Sequence, residues 1–177
     1  MSASLRKTRF MAYTAVLIAL LLGLQFVTKA FGQLVTGSCV NLVLAVSVMC
    51  CGLASGLTVA ILSPLFAFLL GIGPGFVQVV PFIALGNAVY VLLISLISKK
   101  AAEGGIMARL ASIVPASLCK FLTLYLLVAK LVVPTLGLPE GKLSVVAASF
   151  SWPQLVTALV GGLLALEVAP LVKKAMK

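Results

Sequence analysis

Two lysines lie inside one of the most apolar parts of the chain, where an ionisable group is costly. Residues 120 to 130 read KFLTLYLLVAK, and between the lysines only Thr123 and Tyr125 carry a polar side-chain atom. A charge at the centre of a bilayer costs at least about 2.5–3.5 kcal/mol and usually faces a cavity or a partner. Lys120 could therefore bind an anion, pair with a carboxylate, or act with a neighbouring serine in catalysis.

The composition predicts an integral membrane protein with a single domain. The chain has 177 residues, of which 63% are hydrophobic and 9% are charged. A soluble domain has about 45–50% apolar and about 25% charged residues. The formal net charge is +10, which in a soluble protein would suggest nucleic-acid binding. Here most basic residues flank apolar segments, so we interpret the charge as orienting the protein in the cell membrane.

Six apolar segments predict an all-α fold with six transmembrane helices. They are residues 10–28, 39–53, 56–71, 82–98, 108–133 and 152–172. A spanning helix needs about 17–25 residues, so the second and third are short and could be two tilted helices or one re-entrant pair. With six spans, the basic clusters at 6–9, 99–109 and 173–177 fall on one side of the membrane. This predicts that both termini are cytoplasmic.

The large polar side chains collect in the outer half of this predicted domain. At 1.5 Å per residue, Asn41 lies near the outer end of the second span, Asn87 lies inside the fourth, and Gln154 begins the sixth. A single amide is more often a cap or an interhelical bond, but several at one depth are typical of a small-molecule pocket. The candidate substrate-binding residues are Lys120, Asn87, Asn41, Gln78, Gln154, Thr157, Tyr125, Lys130, Trp152 and Gln33.

Depth separates the two lysines of the fifth span. Lys120 lies about 15 Å from the cytoplasmic end, whereas Lys130 lies near the outer surface, where snorkelling accounts for it. The one intramembrane acid is Glu167, and its estimated depth differs from that of Lys120 by about two helical turns. Three interpretations of Lys120 stay open: contact with an anionic ligand, pairing with Glu167, or an uncharged amine. The first predicts a carboxylate-bearing or anionic ligand, which Lys130 would steer inward.

The chain lacks the residues of most enzymes. It has no His and no Asp, so metalloprotease, aspartyl-protease and Ser-His mechanisms have no parts to use. Lys120 and Ser117 share a helix face at i and i+3, which leaves one conceivable catalytic pair. The four cysteines form no C-x-x-C pair, so no metal site is indicated. We predict neither an enzyme nor a cofactor.

Several segments resemble the substrate-binding S components of energy-coupling factor (ECF) transporters. The resemblance rests on the basic N-terminus followed by AVLIA, on VNLVLAVSV, on IGPGFVQVVPFIALGNAVYVLL, and on the length and six spans. It implies a subunit that binds a vitamin-like substrate in the outer half of the bilayer and associates with a transmembrane coupling subunit and two cytoplasmic ATPases. Ala12, Ala15 and Ala19 would form the docking face, because small residues four apart let two helices approach closely in lipid.

The resemblance also implies a gate over the pocket. The matching segments are Gln33 to Asn41, between the first two helices, and Gly71 to Val80, between the third and fourth. The chain has no Walker motif, so ATP hydrolysis would belong to partners. A small ATP-independent transporter or channel, and a purely structural membrane subunit, are the alternatives. The lack of acidic pocket residues disfavours a cationic ligand such as thiamin, and pantothenate, biotin, lipoate, niacin, a folate and neutral bases stay open.

Overall fold

The computed structural model describes residues 3–100 and 105–176, which form helices joined by short turns. The helices are α1 (Ala3–Thr28), α2 (Gln33–Cys51), α3 (Leu53–Leu69), α4 (Val80–Lys100), α5 (Gly105–Leu124), α6 (Glu140–Ser149) and α7 (Trp152–Ala175). After α5 the chain continues as a π-helix over Tyr125–Val132 and a 3-10 turn over Val133–Leu136. Two more 3-10 turns, Lys29–Phe31 and Val77–Val79, precede α2 and α4.

The apolar helices confirm the membrane class in its broad form. Five helical segments are long and apolar enough to cross a bilayer, namely Lys7–Phe31, Gln33–Cys51, Val77–Ser98, Leu110–Leu136 and Glu140–Ala175. The remaining predicted span, the third, corresponds to α3, a shorter apolar helix of 17 residues. Over the described residues the protein is therefore all-helical, with five long apolar helices and one short one.

Two details of the predicted layout are wrong. The second helix begins at Gln33 and not near residue 39, so Gln33 lies in a helix rather than in an outer loop. Gly32, with a φ of +83°, ends the preceding turn, and its carbonyl accepts the first helical bond from the Thr36 N–H at 3.1 Å. The other is α6, a short helix between the fifth and sixth spans that the apolar pattern did not predict.

The helices pack into two apolar clusters. The larger one joins residues of α1, α2, α3, α4, α5 and α7, with Leu44, Val59 and Ile94 among its fully buried members. The smaller one lies around the π-helix and includes Val128 and Phe150. Together they enclose the polar residues of the interior between apolar walls.

α2 and α7 cross in near-contact because glycines lie at the crossing. A Cβ on Gly161 would lie 2.5 Å from the Ser38 carbonyl oxygen and 2.7 Å from Asn41 Cβ. A Cβ on Gly37 would lie 2.9 Å from Thr157 Cγ2. Small residues of this kind let helices approach closely in lipid. The crossing presses Asn41 against Thr157 in the interior.

We predict that Gly161→Ala destabilises the protein, because its methyl group would overlap the α2 backbone. Overpacking of this kind costs about 1–3 kcal/mol. Gly23→Ala is the matched control, since Gly23 lies in α1 and a methyl group there would meet nothing within 4 Å. Thermal unfolding in detergent measures both. An unchanged midpoint for Gly161→Ala would contradict the close crossing.

Candidate functional site

A cavity of about 360 Å³ lies where α1, α2, α4, α5, α6 and α7 meet the 72–76 loop. This volume falls within the range of about 300–1,000 Å³ typical of small-molecule sites. Its lining residues are Gln25, Lys29, Gly32, Gln33, Thr36, Gly37, Val40, Asn41, Ile72, Gly73, Pro74, Gly75, Phe76, Ile83, Asn87, Lys120, Leu124, Val145, Val146, Ser149, Phe150 and Gln154.

One face of α2 forms a wall of the cavity. Gln33, Thr36, Gly37, Val40 and Asn41 recur at i, i+3, i+4, i+7 and i+8, so they share a helix face. At 1.5 Å per residue, the wall descends about 12 Å from its first to its last residue. The cavity therefore has a mouth near the start of α2 and a floor near Asn41.

Lys120 lies at this floor and is held by two amides. Its side chain is 2% exposed. Its Nζ donates to Asn41 Oδ1 at 2.5 Å and to Asn87 Oδ1 at 2.7 Å. The Nζ also lies 5.4 Å from the centroid of the Tyr90 ring, within the range of a cation–π contact. An ammonium has three N–H donors, and the two amides use two of them.

The surrounding backbone orients both amide groups. Asn41 Nδ2 donates to the Gly37 carbonyl at 2.9 Å and to Thr157 Oγ1 at 3.3 Å. Asn87 Nδ2 donates to the Ala60 carbonyl at 3.5 Å. Because the amide nitrogens point to these acceptors, the amide oxygens face Lys120. The protein's own hydrogen bonds therefore orient the polar groups of the floor.

The charges around the cavity are of one sign. Among the described residues that line it, Lys29 and Lys120 are basic and none is acidic. Glu167 is exposed on α7, and the hydrogen bonds that the structure gives Lys120 in the described part of the chain go to asparagines instead. The structure thus does not bring Lys120 and Glu167 together. Ser117, the other member of the conceivable catalytic pair, is buried. The hydrogen bonds that the structure gives Lys120 Nζ go to Asn41 and Asn87 and not to Ser117.

A hydrogen bond joins the α1–α2 connection to the α3–α4 loop at the mouth of the cavity. Lys29 Nζ donates to the Gly71 carbonyl at 3.0 Å, in an exposed position. Gly71 has a φ of +66°, and Ile72 N donates to the Ala67 carbonyl at 2.9 Å. The α1–α2 connection is thus tied to a turn that is itself fixed to the end of α3.

The predicted site residues fall into three groups. Lys120, Asn87, Asn41, Gln154 and Gln33 line the cavity. Thr157 is buried directly behind Asn41. The third group, Gln78, Tyr125, Lys130 and Trp152, is outside the described lining.

The third group lies in the Val77–Val79 turn, in the π-helix and at the start of α7. Gln78 and Lys130 are exposed, and Trp152 is 60% exposed. Lys130 Nζ lies 5.3 Å from the Tyr125 ring centroid. The chain winds as a π-helix from Tyr125 onward. α-Helical spacing counted from Lys120 therefore does not predict the direction in which Tyr125 and Lys130 point.

Sequence reasoning missed several lining residues. Thr36 and Gly37 would follow from the helical spacing of Asn41 if the helix were started at Gln33. Gln25 was recognisable as an outer amide. Val145 and Val146 gave no signal, because α6 is short and its apolar residues do not mark one face as a wall.

The comparisons with known proteins agree with this architecture. The family of substrate-specific components of ECF transporters matches residues 9–173. No curated protein and no solved structure matches the chain. The match spans nearly the whole chain and includes every residue that lines the cavity, and the protein therefore belongs to the family of ECF transporter substrate-specific components.

Proposed function

We propose that this chain is the high-affinity substrate-binding subunit of an ECF-type importer for a small carboxylate-bearing or anionic micronutrient. Members of the family are transporter subunits that bind small substrates and work with a membrane coupling subunit and ATPases. The observation that carries the choice of ligand is Lys120, a buried ammonium whose hydrogen-bond partners are both neutral.

Electrostatics favours an anion in this cavity. Hydrogen bonds to charged groups contribute about 1.5–3 kcal/mol, more than those between neutral groups, and a low local dielectric strengthens them further. A carboxylate at the floor would accept the remaining donor of Lys120 and neutralise its charge. A cationic ligand would instead meet two lysines, Lys120 and Lys29, without a carboxylate among the described lining residues.

The topology supports a cavity that opens outward. Its mouth is formed by the α1–α2 connection and the α3–α4 loop, at the end of α1 opposite the N-terminus. Arg9, Lys173 and Lys174 lie at the other end of the bundle, where a basic surface favours the cytoplasm. Six spans with both termini inside would place the cavity in the outer half of the cell membrane.

α1 presents a small-residue face that suits a coupling subunit. Thr14 and Leu21 are buried, and the Thr14 and Ser55 hydroxyls are 2.8 Å apart. Ala12, Ala15 and Ala19 are exposed on the same helix. Since one side of α1 is fixed to the bundle, the alanine face is free to pack against a partner helix.

Purification from membranes in mild detergent tests the proposal as a whole. We expect mass spectrometry to find a small acid retained by the protein, together with the coupling subunit and two ATPases. A protein that imports its ligand in vesicles without any ATPase would instead be an ATP-independent transporter.

We predict that Lys120→Met lowers affinity for the retained acid by about 10- to 150-fold, the loss of one hydrogen bond to a charged group. The empty protein should also lose stability, because the Asn41 and Asn87 oxygens lose their donor. Lys130→Met is the control, because Lys130 is an exposed lysine from the same run. It should mainly slow association at low salt. Calorimetry that finds unchanged affinity for Lys120→Met would make that lysine structural only.

Bulky residues on the alanine face should separate binding from uptake. We predict that the double substitution Ala15→Leu and Ala19→Leu abolishes close helix approach, so cellular uptake falls while binding by the purified protein is retained. Ala111→Leu, at an exposed alanine of α5, should leave both unchanged. Equal uptake by the double variant and the wild type would mean that docking uses another surface.

The bond across the mouth should slow ligand exchange. We predict that at high salt, where charge steering is screened, Lys29→Met raises both the association and the dissociation rate, with a smaller change in affinity, because an exposed hydrogen bond contributes about 1 kcal/mol or less. Lys142→Met removes an exposed charge from α6, outside the described cavity lining, and serves as control. Stopped-flow binding measures both rates. Rates that match between Lys29→Met and wild type would show that the bond does not limit entry.

A further inference from the structure

We propose that the neutrality of Asn41 and Asn87, the two residues that hold Lys120, makes the cavity selective for acids over their neutral analogues. Both side chains hold the Lys120 ammonium through amide oxygens, so they bind the charge without cancelling it. This inference rests on the proposed function of the cavity as the substrate site. It adds the residues that decide which charge state of the substrate is preferred.

A buried lysine would ordinarily be paired with a carboxylate. Lysine is almost never fully buried unless paired, and a carboxylate partner neutralises it. This chain has no aspartate, and the described glutamates, Glu140 and Glu167, are both exposed. Lys120 is instead surrounded by two amide oxygens and the face of the Tyr90 ring. No carboxylate among the described residues therefore neutralises Lys120 at the floor.

Asparagine differs from aspartate here only in charge and in one donor group. Either residue offers an oxygen at the same position, so either could accept from Lys120. With aspartate the floor would be neutral before the ligand arrives. With asparagine, the substrate supplies the neutralising charge, so an acid gains more from the site than its amide or alcohol analogue.

The two asparagines are not equally suited to a test. At Asn41, a second carboxylate oxygen would replace a nitrogen that lies 2.9 Å from the Gly37 carbonyl oxygen, and the two oxygens would repel each other. At Asn87, the corresponding distance to the Ala60 carbonyl oxygen is 3.5 Å. Asn87→Asp therefore neutralises Lys120 with the smaller disturbance of the framework.

The experiment compares affinities for matched acids and neutral analogues in the purified full-length protein. The probes are nicotinate with nicotinamide, pantothenate with panthenol, biotin with biotinamide, and lipoate with lipoamide. The wild type should bind one acid more tightly than its neutral partner by about 10- to 150-fold. Asn87→Asp should weaken binding of that acid and bring the ratio close to one.

Two controls separate neutralisation of Lys120 from other effects. Thr8→Glu adds the same negative charge on an exposed residue near the start of α1, outside the described cavity lining, and it should keep the wild-type ratio. Asn87→Ala removes the acceptor without adding charge, so it should keep the preference for the acid even if both affinities fall. If Asn87→Asp is not recovered folded, Asn41→Asp makes the equivalent change from α2, with the same ratio as the readout.

The outcomes distinguish this inference from the proposed function. An Asn-to-Asp variant that keeps the wild-type acid preference overturns the inference. A wild type that binds a neutral analogue as tightly as its acid also overturns it, while substrate binding itself stands. A wild type that binds none of the eight probes and retains no small molecule from cells removes the proposed function, and this inference with it.

Discussion

The structure depends on a buried ammonium that must have hydrogen-bond acceptors. Lys120 comes from α5, and its two acceptors come from α2 and α4. No single helix can supply such a cage, because the acceptors must approach the Nζ from different directions. The close crossing of α2 and α7 at Gly161 helps to build this cage, because it fixes the position and orientation of Asn41. The glycines of the interior are thus part of the polar site.

Such a cluster is a poor way to stabilise a membrane protein. Replacing buried charged groups by well-packed apolar residues is often neutral or stabilising, and the cavity beside Lys120 removes packing as well. The apolar clusters around it offset that loss, and they surround the floor with apolar side chains. A low dielectric then makes each bond at the floor stronger for a ligand that fits and costlier for one that does not. Under the proposed function, the cluster lowers the stability of the fold in order to bind a ligand.

The sequence allowed the depth of the site to be predicted better than its contacts. The cost of a charge in lipid singled out Lys120, and the rise per residue placed Asn87 at a similar depth. Asn41 was predicted near the outer end of its span, but the helix that carries it begins earlier, at Gln33. The depth of a residue along a helix follows from the number of residues and the rise per residue. The neighbour that its side chain contacts depends on the crossing angles and distances between helices, which the sequence does not give directly. Pairing by charge alone therefore offered Glu167 as a partner, whereas the packed structure supplies two neutral amides. The early start of α2 at Gln33 was missed because Gln33, Thr36, Gly37 and Ser38 interrupt the apolar pattern of its first turns.

Three lysines of the chain differ in their exposure and in their contacts. Lys130 is exposed beside Tyr125, Lys29 is exposed at the mouth, and Lys120 is enclosed. The bond from Lys29 to Gly71 faces solvent, so water can replace it at little cost. The bonds of Lys120 have no such replacement and persist. Under the proposed function, the floor, built from long helices, stays fixed while the mouth, built from turns, opens. A ligand would then enter and leave without breaking the bonds from Lys120 to Asn41 and Asn87.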